Sequence, residues 1–263
     1  MDWWEMHLDL ILPTVSLVFL NVVVWAYPRV EHKTKRFMEE GEFTIKDALG
    51  LALVLAVAVV ILAISPSALL LVLSMIGIGF VLNLISLIVT GNRWISVILP
   101  TIFYVCFFFF WNLKLLNIFA LILAFGTSLI LASAFSWRSS LAFIAVLTLI
   151  DVIHVFGTKM MVEVGQKGIQ LGLPLMLLLP AYPAGGYLGF GLGDLFVASL
   201  ITIRNWERFG GRAGLITSIH IAIFLGLMIP IVGIFGALPA TVFISAGWIT
   251  SYLHIRIARN MGL

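Results

Sequence analysis

Apolar runs long enough to cross a bilayer recur from one end of this chain to the other. Spanning a hydrocarbon layer of about 30 Å takes roughly 20 residues of helix. Inside that layer every backbone N–H and C=O must be satisfied by the chain itself, so only helices and closed barrels cross. A barrel would show short segments alternating apolar and polar, whereas these runs are continuous apolar blocks. The fold class expected is therefore an all-α polytopic membrane protein. Composition agrees, with 62% hydrophobic and 10% charged residues against about 45–50% and about 25% in a soluble domain. Soluble globular, disordered and coiled-coil classes are excluded.

Nine spans are expected, at 8–27, 48–65, 67–90, 94–111, 114–135, 140–163, 184–203, 213–235 and 238–257. Several connectors are tight, as at Ser65-Pro66 and Gly91-Asn92-Arg93. The first run follows the acidic, aromatic start Met1-Asp2-Trp3-Trp4-Glu5 and reads as a retained span, since a cleaved leader wants a basic start and a small-residue cleavage site. The segment 164–183 is apolar but broken by Pro174, Pro180 and Pro183, and its core Leu171–Leu179 is too short to cross as a helix. It reads either as a re-entrant, gate-like piece lying against the protein or as a plain interfacial loop. A single cysteine, Cys106, excludes an internal disulfide and any cysteine-based metal cluster.

Charge sets the orientation. With the amino terminus outside, the inside loops hold twelve of the 15 Lys and Arg, and only Lys114, Lys159 and Lys167 stay outside. That bias favours an amino terminus outside and a carboxyl terminus in the cytoplasm of a multi-pass cell-membrane protein. The basic residues are spread over short loops, so the net charge of +3 implies no nucleic-acid partner. The lipid bilayer is the expected partner surface.

The acids are few enough to place singly. Of twelve Asp and Glu, ten fall in loops or at span ends, and only Asp151 and Asp194 lie well inside apolar runs. A carboxylate there costs several kcal/mol unless neutralised or paired, which makes it a functional candidate. Their depths agree. Asp151 stands 13 residues from Arg138, or roughly 20 Å of helix, and Asp194 10 residues from Arg204, or roughly 15 Å. On consecutive antiparallel spans the two can meet near mid-membrane. Two close carboxylates in a low dielectric do not both ionise easily. One can then draw a proton from water while the other polarises a carbonyl. The acids alone serve equally as the proton or cation relay of a secondary transporter.

The local sequences narrow this. The chain reads Gly191-Leu192-Gly193-Asp194 at the second acid, Asp151 followed by Val155-Phe156-Gly157-Thr158 at the first, and Leu238-Pro239-Ala240 at the start of the ninth run. The ordered trio resembles the GxGD intramembrane aspartyl proteases, the signal peptide peptidase and presenilin family, in a prokaryotic-type form. The motifs cover the last 120 or so residues. The chain departs from that pattern at Ile150, where the family usually has Tyr, at Thr241, where the third motif usually ends in Leu, and at His154, where the peptidase branch tends to carry an aromatic.

The resemblance implies a single transmembrane domain over 1–263, with scaffold helices in 1–135 and catalytic helices six to nine in 136–263. It implies an aspartic endopeptidase that cuts within transmembrane segments, remnant signal peptides or type II membrane proteins, with Asp151 and Asp194 activating water. Gly191 and Gly193 would let substrate backbone approach, although small residues also pack helices. Leu238, Pro239 and Ala240 would shape the site without transferring protons, although Pro239 also suits an ordinary first turn. The expectation is for no metal and no organic cofactor. No HExxH or GxSxG stands in the chain, which speaks against zinc and serine chemistry. No obligate partner subunit is expected, and self-association is left open.

Overall fold

The computed structural model describes residues 10–38, 41–181 and 185–260, so Asp2, Glu5, Asp9, Glu39, Glu40 and Pro183 lie outside the described residues. Its helices are α1 (Ile11–Met38), α2 (Ile45–Ile64), α3 (Ser67–Thr90), α4 (Arg93–Ser96), α5 (Ile98–Phe109), α6 (Leu113–Ala134), α7 (Trp137–Val152), α8 (Met160–Gln170), α9 (Leu192–Phe209), α10 (Gly211–Phe235) and α11 (Ala240–Asn260). A π-helical turn, Ile153–Gly157, extends α7. Two short strands, β1 (Met176–Pro180) and β2 (Tyr187–Gly191), pair antiparallel ahead of α9. Six helical stretches are long and apolar enough to cross a membrane: Ile11–Arg36, Ile45–Ile64, Ser67–Thr90, Leu113–Ala134, Trp137–Gly157 and Gly211–Phe235. The protein is thus a helical, multi-pass membrane protein.

Local chemistry sets the ends. Thr44 and Asp47 form a reciprocal capping box that opens α2. Ser136 and Ser139 do the same for α7. Asn112 caps α6 by accepting from the Leu115 amide at 3.1 Å. Helix α3 stops at Gly91, whose φ of 67° a side chain would resist.

Four boundaries depart from the sequence expectation. Helix α1 runs on through the segment expected as loop, helped by the Glu31–Lys35 pair one turn apart at 2.7 Å. The fourth run is split at Val97, because Pro100 has no amide to offer the Ser96 carbonyl. The sixth is divided at Lys159, which takes a left-handed φ of 59° and turns the chain into α8. There the Lys167 ammonium reaches the Ala63 and Ser65 carbonyls at the end of α2. The seventh, expected from 184, becomes helical only at Leu192, since Tyr187–Gly191 is paired as a strand. Of the segment 164–183, expected as a loop or re-entrant piece, the part up to Gln170 is helical in α8, and Met176–Pro180 lies against the protein as the partner strand with Leu177, Leu178 and Leu179 buried.

The core forms around α9. Every residue from Leu195 to Asn205 is buried, and the helix packs against α1, α6, α7, α10 and α11. A second cluster gathers Leu70, Ile78, Leu82, Phe103, Phe119, Leu123 and Leu173 between α3, α5 and α6.

Candidate functional site

Asp151 is the last residue but one of α7, which widens into its π turn at Ile153. Such turns are uncommon and frequent at functional sites. Its Oδ2 accepts from the Thr241 hydroxyl at 2.6 Å and from the Thr241 amide at 3.4 Å. Charge-assisted O–H···O bonds of this length are the strong ones. One turn away the Thr148 and Ser245 hydroxyls meet at 3.1 Å, a second polar rung between α7 and α11. Asp151 is therefore held from the first turn of α11.

Asp194 is the third residue of α9, directly after the hairpin. Gly191, the last residue of β2, is the N-cap, and its backbone amide donates to the Asp194 carboxyl. This is one half of a capping box, with the carboxylate reaching back to the N-cap. A Cβ on Gly191 would lie 2.8 Å from Asp194 Oδ2, so the first glycine of the motif clears room for the acid itself. Gly193 differs: it is exposed, and a Cβ there would meet nothing within 4 Å. Space is open beside Asp194 on that side.

Helices α7, α9 and α11 pack on one another, which brings the two acids into one neighbourhood. His154, one turn beyond Asp151 in the π turn, is buried. Pro239 and Ala240 are buried and Leu238 half-buried, and Leu238 and Ala240 belong to the cluster that holds Leu195 and Phe196. Residues 237–239 lack helical hydrogen bonding, which delivers Thr241 to Asp151 from a helix that starts at Ala240.

The hairpin shows a closed edge and an open one. Asn117 of α6 donates to the Leu178 carbonyl and accepts from the Leu178 amide, both at 2.9 Å, and so occupies the outer edge of β1. Leu178 faces Gly189 across the pair. Since the polar groups of Leu178 turn outward to Asn117, those of Gly189 turn outward on the far edge of β2. Gly189 and Tyr187 are exposed there, and the strand leads to Gly191 and Asp194.

Thr241 and Asn117 are the residues that sequence reasoning passed over. Each had a signal: Thr241 is a hydroxyl where the third motif usually has Leu, and Asn117 is an amide inside an apolar run. His220 and His254 face each other across α10 and α11 with ring centroids 5.3 Å apart. Among the described residues no group of three His, Cys, Asp or Glu is placed to hold a metal ion.

The arrangement suits acid–base work on a polar bond brought in along β2: two neighbouring carboxyl groups, one fixed by a hydroxyl, one by a helix start, with open space at Gly193. No protein-family model matches the sequence, and no curated protein matches it.

Proposed function

We propose that this protein is an intramembrane aspartyl endopeptidase of the GxGD type, in which Asp151 and Asp194 share the general-base and general-acid roles and activate water against a peptide bond. The observation that carries the reading is the convergence of three separated motifs: Asp151, the Gly191–Asp194 turn and the start of α11 meet around one carboxyl pair. Coupled acids titrate as a unit, so the pair and not either member is the catalyst.

In this reading α4–α5, α9 and α11 cross the membrane beside the six longer apolar stretches, making nine spans, with the amino terminus outside and the carboxyl terminus in the cytoplasm. The fold is then of the presenilin and signal peptide peptidase kind. Substrates are transmembrane segments, with remnant signal peptides or type II proteins leading, and no cofactor is needed. A substrate helix must unwind before its peptide bonds can be reached. The free edge of β2 gives the unwound strand backbone partners next to Asp194, a strand-addition mode of binding.

The test is cleavage by the wild type, Asp151→Asn and Asp194→Asn in liposomes, using a labelled type II transmembrane peptide and mass spectrometry of the products. Cuts within the hydrophobic segment are expected for the wild type, falling at least ~100-fold in each variant. Folded wild type that leaves several such peptides intact, yet moves protons or cations in a flux assay abolished by Asp151→Asn, would replace the protease by a carboxylate-dependent transporter.

A further inference from the structure

Away from the acids, a cavity of about 140 Å³ opens between α1, α3 and α6. Its walls are apolar, formed by Ala26 and Val30 of α1, Ile85 and Ile88 of α3, and Phe125 and Leu129 of α6. Water finds no hydrogen-bonding partner on such walls, so the fitting occupant is apolar.

The mouth is not apolar. Arg29 lines it, with its guanidinium 3.7 Å from the centroid of the Trp25 ring and donating to the Trp25 carbonyl. Lys33, one turn on, reaches across to the Val89 carbonyl of α3 at 3.4 Å. Neither cation has a carboxylate partner among the described residues: Glu31, two residues from each, lies off their side of the helix and pairs with Lys35 at 2.7 Å. Both keep spare donors, and both side chains are exposed.

Depth matches this chemistry. Arg29 stands 18 residues along α1 from Ile11, a rise of about 27 Å, close to the hydrocarbon thickness of about 30 Å. The Lys33–Val89 contact places the end of α3 at the same level. The two cations therefore lie where lipid phosphates lie, directly above an apolar recess.

We infer that this recess is a binding site for an anionic phospholipid, with an acyl chain in the cavity between α1, α3 and α6 and the phosphate on Arg29 and Lys33. Cations at the headgroup level select negative lipids, and a recess below them selects a lipid over a soluble anion. The recess shares no lining residue with the carboxyl site, and the inference stands whether or not the chain cleaves peptides.

The experiment measures lipid retained by the purified, full-length protein in native mass spectrometry. The protein is offered phosphatidylglycerol and phosphatidylcholine with identical chains. The wild type is expected to hold phosphatidylglycerol on the order of tenfold better. The double variant Arg29→Gln with Lys33→Gln should bring that ratio to about one. Val30→Phe fills the recess and leaves both cations in place, and should lose phosphatidylglycerol retention while keeping the wild-type circular dichroism and elution. Lys33→Gln alone, expected to lower the ratio several-fold, serves if the double variant does not fold. A wild-type ratio near one, a preference that survives the Gln substitutions, or retention unchanged by Val30→Phe would overturn the inference. So would displacement of the lipid by inorganic phosphate, which would leave a simple anion site.

Discussion

Thr241 carries more of the site's geometry than its ordinary chemistry suggests. It is almost fully buried, and its hydroxyl and amide both point at one carboxyl oxygen of Asp151. A hydrogen bond to a charged group contributes about 1.5–3 kcal/mol. Thr241→Val, which keeps the shape and removes the donor, is thus expected to lower kcat roughly 10- to 100-fold with KM little changed, and Thr241→Ser to restore most of it. Steady-state cleavage of a fluorogenic transmembrane peptide reads the split, and equal kcat in the Val variant would reduce the hydroxyl to packing. Gly191→Ala is a second test at this scale. Its Cβ would press on Asp194 Oδ2 at 2.8 Å, so activity should fall at least ~10-fold while helical content stays. The two acids were legible in the sequence because a carboxylate within an apolar run is costly and so stands out. Thr241 was not, since threonines return their hydroxyls to helix carbonyls in many spans, as Thr202 does to Ala198 here at 2.7 Å. Only the third dimension shows that this one donates to an acid 90 residues away.

Among elements, the long apolar helices could be read directly from the sequence, and α2 and α3 lie within a few residues of their expected limits. The hairpin could not. Leu177, Leu178 and Leu179 are all buried, so β1 lacks the period-two pattern that marks a half-buried strand. Prolines flagged a break there without saying what replaced the helix. Helix α9, expected as the seventh span, is more polar than α2 or α3, with Asp194, Arg204, Asn205, Glu207 and Arg208 along it. It can be polar because its neighbours are protein on nearly every side. The α10–α11 contact depends on a missing side chain: a Cβ on Gly247 would lie 2.8 Å from Ile221 Cα. Backbone cannot swing aside as a side chain can. Gly247→Ala should cost about 1–3 kcal/mol, seen as earlier thermal unfolding in detergent, and an unchanged transition would show that the helices separate freely.

For the molecule as a whole, Arg204 ties the central helix to its surroundings. It is buried, donates to the Tyr27 hydroxyl of α1 at 3.0 Å and the Ala132 carbonyl of α6 at 2.7 Å, and pairs with Glu207 at 2.6 Å. Arg204→Met leaves the Tyr27 hydroxyl and the buried Ala132 carbonyl without their donor and frees the exposed Glu207, and should destabilise the protein by about 1–3 kcal/mol. Chemical unfolding in mixed micelles checks this, and a change below about 1 kcal/mol would mean that solvent already reaches the pair. The membrane class was legible because it is a bulk property. Which helix is central was not, because order along the chain does not rank helices by enclosure. That enclosure has a mechanical side. Asp194 rides on a post sheathed in protein. Asp151 rides on a stave whose Leu149, Ile153 and Phe156 are exposed on the outer surface. The bilayer therefore bears on the helix of Asp151 directly, and on that of Asp194 only through the helices packed around it.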